Sequence, residues 1–266
     1  MTSQDPHTRG LAKSLTRNRA GLYRPEPEEP VPVTMAPVLL FLALLSLLLR
    51  LLDAFVLLLR PRLLRAYIGL QRAQWRKTPY ASRAFGDRHD ARSHHKSQTE
   101  ITYGETPIIT ALYLLWRAGC GQSANLLDLG AGRGRVLIAA RYLRASCKGV
   151  ELLASHVEQV QGILESIQAP LVHGDAAMER LSDATHIFMA WTCFSERTRQ
   201  QLAGNLESVP AGTRIIALNW SIDRPGFRIV TKGRVLCSWG VTPYFILERT
   251  RTDKSLVSSE ICNSGR

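Results

Sequence analysis

The chain lacks a cysteine framework. Its five cysteines (Cys120, Cys147, Cys193, Cys237, Cys262) are odd in number, far apart and include no CxxC pair. Neither a set of disulfides nor a zinc site is supported, and a reducing compartment fits best. No cleavage pattern for a signal peptide follows Met1, and the first apolar run begins too late to serve as one. Acidic residues are in deficit, with 22 Asp and Glu against 34 Lys and Arg for a net charge of +12. Much of the surplus falls between Arg60 and Lys96, where a membrane surface, a nucleic acid or an acidic protein would each be attracted. His89, His94 and His95 lie in that stretch without a cysteine or carboxylate pattern, so solvated loop histidines explain them better than a metal site.

At 266 residues and 45% hydrophobic content the chain has room for one α/β domain and an appendage. Residues 1–34 are polar and then rich in proline and glutamate ("RPEPEEPVPV"), a composition that cannot bury a core and reads as a disordered tail. Residues 35–59, "MAPVLLFLALLSLLLRLLDAFVLLL", carry charge only at Arg50 and Asp53. Leucines, phenylalanines and valines each gain about 0.3–0.6 kcal/mol on insertion, while a central arginine or aspartate costs about 2.5–3.5 kcal/mol. The sums are close and favour a transmembrane helix if Arg50 and Asp53, three residues apart on one face, pair with each other. A leucine-rich helix lying on a membrane or packed on the domain is the other reading. Residues 60–100 form a basic connector containing a helix ("RLLRAYIGLQRAQWRK"). Its arginines put the C-terminal side in the cytoplasm or an equivalent matrix and reflect positive-inside retention rather than a nucleic-acid partner.

From residue 101 to 250 helix-like and strand-like segments alternate, which implies a parallel sheet covered on both faces. The last two strands, "FRIVTKGRVLCSWG" and "TPYFILERT", have no helix between them and predict a terminal hairpin; residues 251–266 read as a frayed tail. A chain beginning near Thr102 is on this reading a soluble domain.

The chemistry gathers around "LLDLGAGRGRV". A dinucleotide fingerprint is G-x-G-x-x-G, but here the glycines are Gly130, Gly132 and Gly134, and Arg135 stands where the third glycine belongs. Asp128 precedes the first glycine by two positions, where a carboxylate can accept hydrogen bonds from the ammonium end of an amino-acid-bearing nucleotide. Glu151 ends the second strand, placed to hold two ribose hydroxyls, and Asp175, with Ala176 after it, ends the third, placed to accept from an adenine amino group. Each of three successive strands thus offers one acid at its carboxyl tip.

This pattern resembles the class I methyltransferases that use S-adenosylmethionine (SAM). With "TYGETP", "GVE", "HGD", "IFMAWTCF", "AGTRIIA" and "CSWGVTPYFIL" included, it is similar in order and spacing to the non-SET histone-lysine methyltransferases, the disruptor-of-telomeric-silencing family. The preceding apolar segment also resembles the membrane-anchored lysine methyltransferases that modify the c-subunit of ATP synthase. The resemblance implies an α/β, Rossmann-like, seven-stranded methyltransferase sheet with a C-terminal antiparallel hairpin, preceded by a membrane helix. It implies SAM as cofactor, no metal, and a protein lysine as acceptor. Tyr103, Glu105 and Thr106 would lie over the methionine part of SAM, with Asp128, Gly130, Gly132, Arg135, Glu151, Asp175 and Ala176 completing the pocket. Gly104 permits a tight turn, Thr106 suits a helix N-cap and Pro107 a first helical position. After the fourth strand the family carries two asparagines; this chain has Ala190 and Trp191 instead. Trp191, Phe194 and Tyr244 are the expected walls of the acceptor site, with Trp239 a further aromatic. Cys193 has no base near it to make a nucleophile. A small-molecule or lipid acceptor, and a SAM-binding protein without catalysis, remain alternatives.

Overall fold

A computed structural model of the chain describes residues 36–76 and 104–251. Tyr103, the three connector histidines and Cys262 lie outside the described residues. Two helices come first, α1 (Ala36–Leu57) and α2 (Pro61–Arg76). The strands are β1 (Asn125–Leu129), β2 (Ser146–Glu151), β3 (Leu171–His173), β4 (His186–Met189), β5 (Arg214–Leu218), β6 (Phe227–Cys237) and β7 (Gly240–Arg249). Helices α3 (Ile108–Arg117), α4 (Arg135–Tyr142), α5 (Ala154–Glu165) and α6 (Glu196–Asn205) precede β1 or cross between strands.

The seven strands pair in the order β3-β2-β1-β4-β5-β7-β6, the first five parallel and β7 antiparallel to both its neighbours. This is the Rossmann-like, seven-stranded arrangement expected from the sequence, hairpin included. β1 and β4 are buried at almost every position because helices cover both sides, as short apolar runs in parallel sheets require. Alternate residues then feed two cores. Leu126, Phe188, Ile216 and Leu218 join one cluster; Leu127, Leu129, Ile187, Met189, Ile215 and Ala217 join the other. β1 lies between β2 and β4, so the direction of strand addition reverses at its edge. A crevice opens at the carboxyl ends of the strands at such a point.

Helices α1 and α2 contribute to the core of the sheet domain. Leu57 of α1 and Leu63, Ala66, Tyr67 and Leu70 of α2 belong to the first core cluster, and α2 packs on α4 and α5. Along α1 the buried positions are Leu49, Asp53 and Leu57, one per turn, while Phe41, Leu44, Leu48, Leu51 and Phe55 are exposed. The helix therefore sets one residue per turn against the domain and leaves its opposite apolar face exposed. The expected Arg50–Asp53 pair gives way to a different one. Asp53 is 0% exposed and its carboxylate meets Arg135 at 3.3 Å.

The start of α3 also departs from expectation. Its cap position is Pro107, no side chain caps it locally, and Thr106 is simply buried. The orphan amide of Ile109 is satisfied instead by Asp53 Oδ1 at 2.9 Å, a carboxylate supplied from α1. Sequence spacing cannot reveal a cap that arrives from 56 residues away.

These contacts bear on the expectation of a soluble domain starting near Thr102. Such a truncation uncovers the surface beneath Leu57, Tyr67 and Leu70, and it should aggregate while a chain retaining α1 and α2 stays folded. A milder test is Leu70→Ala, for which thermal melts should show a loss of about 2–5 kcal/mol.

Candidate active site

The turn between β1 and α4 explains its own glycines. Gly130 and Gly134 both have φ of +79°, which L side chains rarely adopt. A Cβ on Gly134 would come within 2.6 Å of Leu164 Cδ1, and one on Gly130 within 2.8 Å of the Phe194 ring. The turn is thus pressed between α5 and the segment after β4, and its backbone is pinned to β2. The amides of Gly130 and Ala131 both donate to the Val150 carbonyl at 2.9 Å.

Beside this turn lies an open cleft lined on one wall by Gly104, Glu105 and Thr106 and on the other by residues 130–133, Arg135 and Val136. Asp128, Phe188 and Ala190 form its floor at the tips of β1 and β4. The structure therefore brings together Glu105, Thr106, Asp128, Gly130, Gly132 and Arg135 of the expected residues. Glu151 is adjacent: its Oε2 accepts from the Gly132 amide at 2.8 Å and its Oε1 from Leu153 at 3.1 Å. Asp175 caps a short 3-10 turn, Ala176–Met178, through the Ala177 amide at 2.9 Å, so one of its oxygens has a structural role. Asp175 and Ala176 do not line the cleft itself.

Two expected acceptor walls lie elsewhere. Trp191 is 2% exposed in the second core cluster, where its Nε1 donates to the Trp220 carbonyl at 3.0 Å. Tyr244 is buried on β7 in the first cluster, edge-on to Tyr113 with ring centroids 6.2 Å apart. The reason is register. Trp191 begins a 3-10 turn that folds back beneath the sheet edge, and Tyr244 pairs with Gly233, whose missing side chain leaves room for the phenol ring. Phe188 is the aromatic that lines the cleft; Phe194, the third expected wall, packs against Gly130, and Trp239 lies where a Cβ on Gly104 would meet its ring at 2.7 Å, so both back glycines of the walls. Cys193 is half-buried, and burial pushes its thiol above the ordinary range, which disfavours a thiolate.

Electrostatics single out Asp128. It is 2% exposed, and its Oδ2 has no hydrogen-bond partner among the described residues. Burial, and then the neighbouring Glu151, raise its carboxyl well above the usual range. Asp53, Glu105, Asp128 and Glu151 set four buried carboxylates against the guanidiniums of Arg133 and Arg135. Of these, Glu105, Asp128, Arg133 and Arg135 line the cleft. Sequence reading had missed Asp53, Arg133 and Phe188. A lone aspartate in an apolar helix was the available signal for the first.

No family model matches the chain, and no curated protein matches it. Among solved structures it is similar to TrmN from Thermus thermophilus, at 19% identity and a TM-score of 0.47 over 53% of this chain and 48% of that one. The match thus spans about half of the Thermus protein. It is also similar to an RNA methyltransferase from Salinibacter ruber solved with S-adenosyl-L-homocysteine, at 20% identity and TM-score 0.46, over 56% of this chain and 97% of that one. A glycopeptide N-methyltransferase, MtfA, is similar at 15% identity and TM-score 0.45, over 53% and 94%. The likeness is one of fold, at identities where no residue's role transfers.

Asp128 yields a prediction with a definite sign. A carboxyl whose folded value is raised stabilises the protein fully below its unfolded value, 3.8, and loses that contribution as pH rises through the folded value. This contribution of Asp128 should therefore fall from acid towards neutral pH, and Asp128→Asn should gain stability relative to the unsubstituted chain as pH rises. Melting temperatures of both proteins between pH 5 and 8 check it; parallel curves would contradict a raised Asp128.

Proposed function

We propose that the chain is a SAM-dependent methyltransferase, held at a membrane by α1 and acting on a protein lysine. The observation that carries the cofactor reading is the unpartnered, buried Asp128 oxygen on the floor of a glycine-turn cleft. SAM brings a sulfonium and an ammonium to such a place. A dinucleotide would instead set its pyrophosphate against the same carboxylates, and the third glycine of its fingerprint is here Arg135, whose guanidinium is already engaged by Asp53 and Glu105.

In this reading Asp128 takes the ammonium end and regains its charge in doing so. Glu151, with two of its roughly four acceptor positions occupied by the Gly132 and Leu153 amides, offers the others to ribose hydroxyls. Asp175 and Ala176 border the adenine, and Tyr103, Glu105 and Thr106 close the methionine side. SAM supplies a methyl group on a positively charged sulfur, already activated for displacement. The protein's part is alignment and desolvation of the incoming nitrogen. Phe188 and Ala190 give the floor an apolar character, with Phe194 and Trp239 packed behind the wall glycines, which favours a neutral amine over an ammonium and suits a lysine acceptor. The lysine reading otherwise rests on the sequence resemblance.

Membrane attachment is supported by α1. Leu40–Leu57 is the one helical stretch among the described residues long and apolar enough to cross a bilayer, and only 17% of it is buried in the protein. Phe41, Leu44, Leu47, Leu48, Leu51 and Phe55 are exposed along it, and apolar exposure of this kind marks an interaction surface. The arginines of α2 that follow would then face the cytoplasmic or matrix-equivalent side.

Incubating membranes with tritiated SAM and the full chain tests the reaction, and label in protein hydrolysed to methyl-lysine is the expected result. Label in the lipid or soluble fraction would replace the acceptor, and no label would leave a binding protein. For the cofactor, Glu151→Ala should weaken SAM by about 1.5–3 kcal/mol in calorimetry, since hydrogen bonds to an ionised carboxylate are lost. For the anchor, carbonate and high salt should fail to extract the full chain, because buried apolar surface is not screened as charge is.

A further inference from the structure

Asp53 is placed where an acid has no ordinary reason to be, on an apolar helix and with no exposed surface. Its two oxygens reach two different elements. Oδ1 accepts from the Ile109 amide at 2.9 Å, at the first turn of α3; Oδ2 pairs with Arg135 Nη1 at 3.3 Å, at the first residue of α4. Arg135 Nη2 in turn pairs with Glu105 at 2.7 Å, and its guanidinium carbon lies 5.6 Å from the centre of the Tyr67 ring of α2. Glu105 is itself fastened to the β6–β7 turn, its amide donating to Ser238 Oγ at 3.1 Å. Glu105 and Arg135 sit on opposite walls of the cofactor cleft. One carboxylate from α1 thus fixes the start of α3 behind one wall and the arginine that ends the glycine turn in the other.

We infer that Asp53 is a positioning residue of the cofactor cleft, so that the apolar helix is part of the site and not only an anchor for it. Through Arg135 and the Ile109 amide it sets the separation of the two walls. The inference rests on reading the cleft as a cofactor site. Coupling of this kind is reciprocal: whatever binds better to correctly spaced walls also holds α1 more firmly on the domain.

The test uses the full chain in detergent or nanodiscs with S-adenosylhomocysteine as the probe. Asp53→Asn keeps an acceptor for Ile109 and leaves Arg135 paired with Glu105, so it does not strand a buried charge and should fold. It is expected to weaken the probe about five- to tenfold at a temperature well below its melting point. Leu57→Ala, an apolar core lesion of the same helix that leaves the Asp53 contacts with Ile109 and Arg135 in place, should lower the melting temperature and leave affinity within about twofold. In an Arg135→Gln background the Asp53→Asn change should have little further effect, because the arginine through which it acts is gone. Unchanged affinity in folded Asp53→Asn, or full additivity with Arg135→Gln, would overturn the inference. Hydrogen exchange of the ligand-free proteins gives a readout that needs no cofactor. Asp53→Asn should speed exchange at residues 104–110 and 130–136, and Leu57→Ala should not. A wild-type chain that binds no probe would sink the cofactor reading alone, while the exchange pattern would still decide whether Asp53 holds the two walls.

Discussion

A guanidinium buried to 7% exposure cannot remain without countercharge, and much of this protein is arranged around that requirement at Arg135. The residue follows the last glycine of the turn, so its backbone belongs to the cleft. Its charge is answered by Asp53 from α1 and Glu105 from the segment before α3. Removing water from three charges is costly, and such a cluster is weak evidence for stability as such. What it secures is geometry: three segments distant in sequence have one low-energy way to meet. A dehydrogenase uses a glycine at this place to bring helix and strand together. Here the third glycine has moved one position earlier, to Gly134, and the arginine takes over the approach of the neighbouring elements.

The same economy of charge governs the cleft. Parallel strands end in a row, and the reversal of order at β1 leaves a gap there that side chains from β1 and β4 floor. Acids at these tips lose hydration when the helices close over them. Glu151 recovers it from backbone amides, Asp175 by capping a 3-10 turn, and Asp128 only in part. The incompletely satisfied acid is the one on the floor of the cleft. Cores tolerate such a group where a ligand completes it.

The apolar N-terminal helix reconciles two demands that looked exclusive. A stripe of one residue per turn, Leu49, Asp53 and Leu57, is taken by the domain, and the opposite leucines and phenylalanines are left outside. Attachment and catalysis would then share one element, and movement of the helix against the domain would reach the cleft through Asp53 and Arg135. Retention of α2 follows for a plainer reason, since its Leu63, Tyr67 and Leu70 cover α4 and α5.

The order of helices and strands, the antiparallel ending, the glycine turn and the acids at three strand tips were all legible in the sequence. Each depends on neighbours within a few residues: apolar runs of strand length, helical periodicity, glycines where φ is positive. The partners of charged and aromatic groups were not legible. Asp53 was read with Arg50, three residues away, and is bound instead to Arg135, 82 residues on. Thr106 looked like a cap and was displaced by a carboxylate from another helix. Trp191 and Tyr244 looked like walls because they stand near strand ends, whereas backbone direction after β4 and the register of the hairpin turned both inward. Local propensity decides which elements form; which face of an element meets which neighbour depends on packing across the whole chain, and only the tertiary structure decided it.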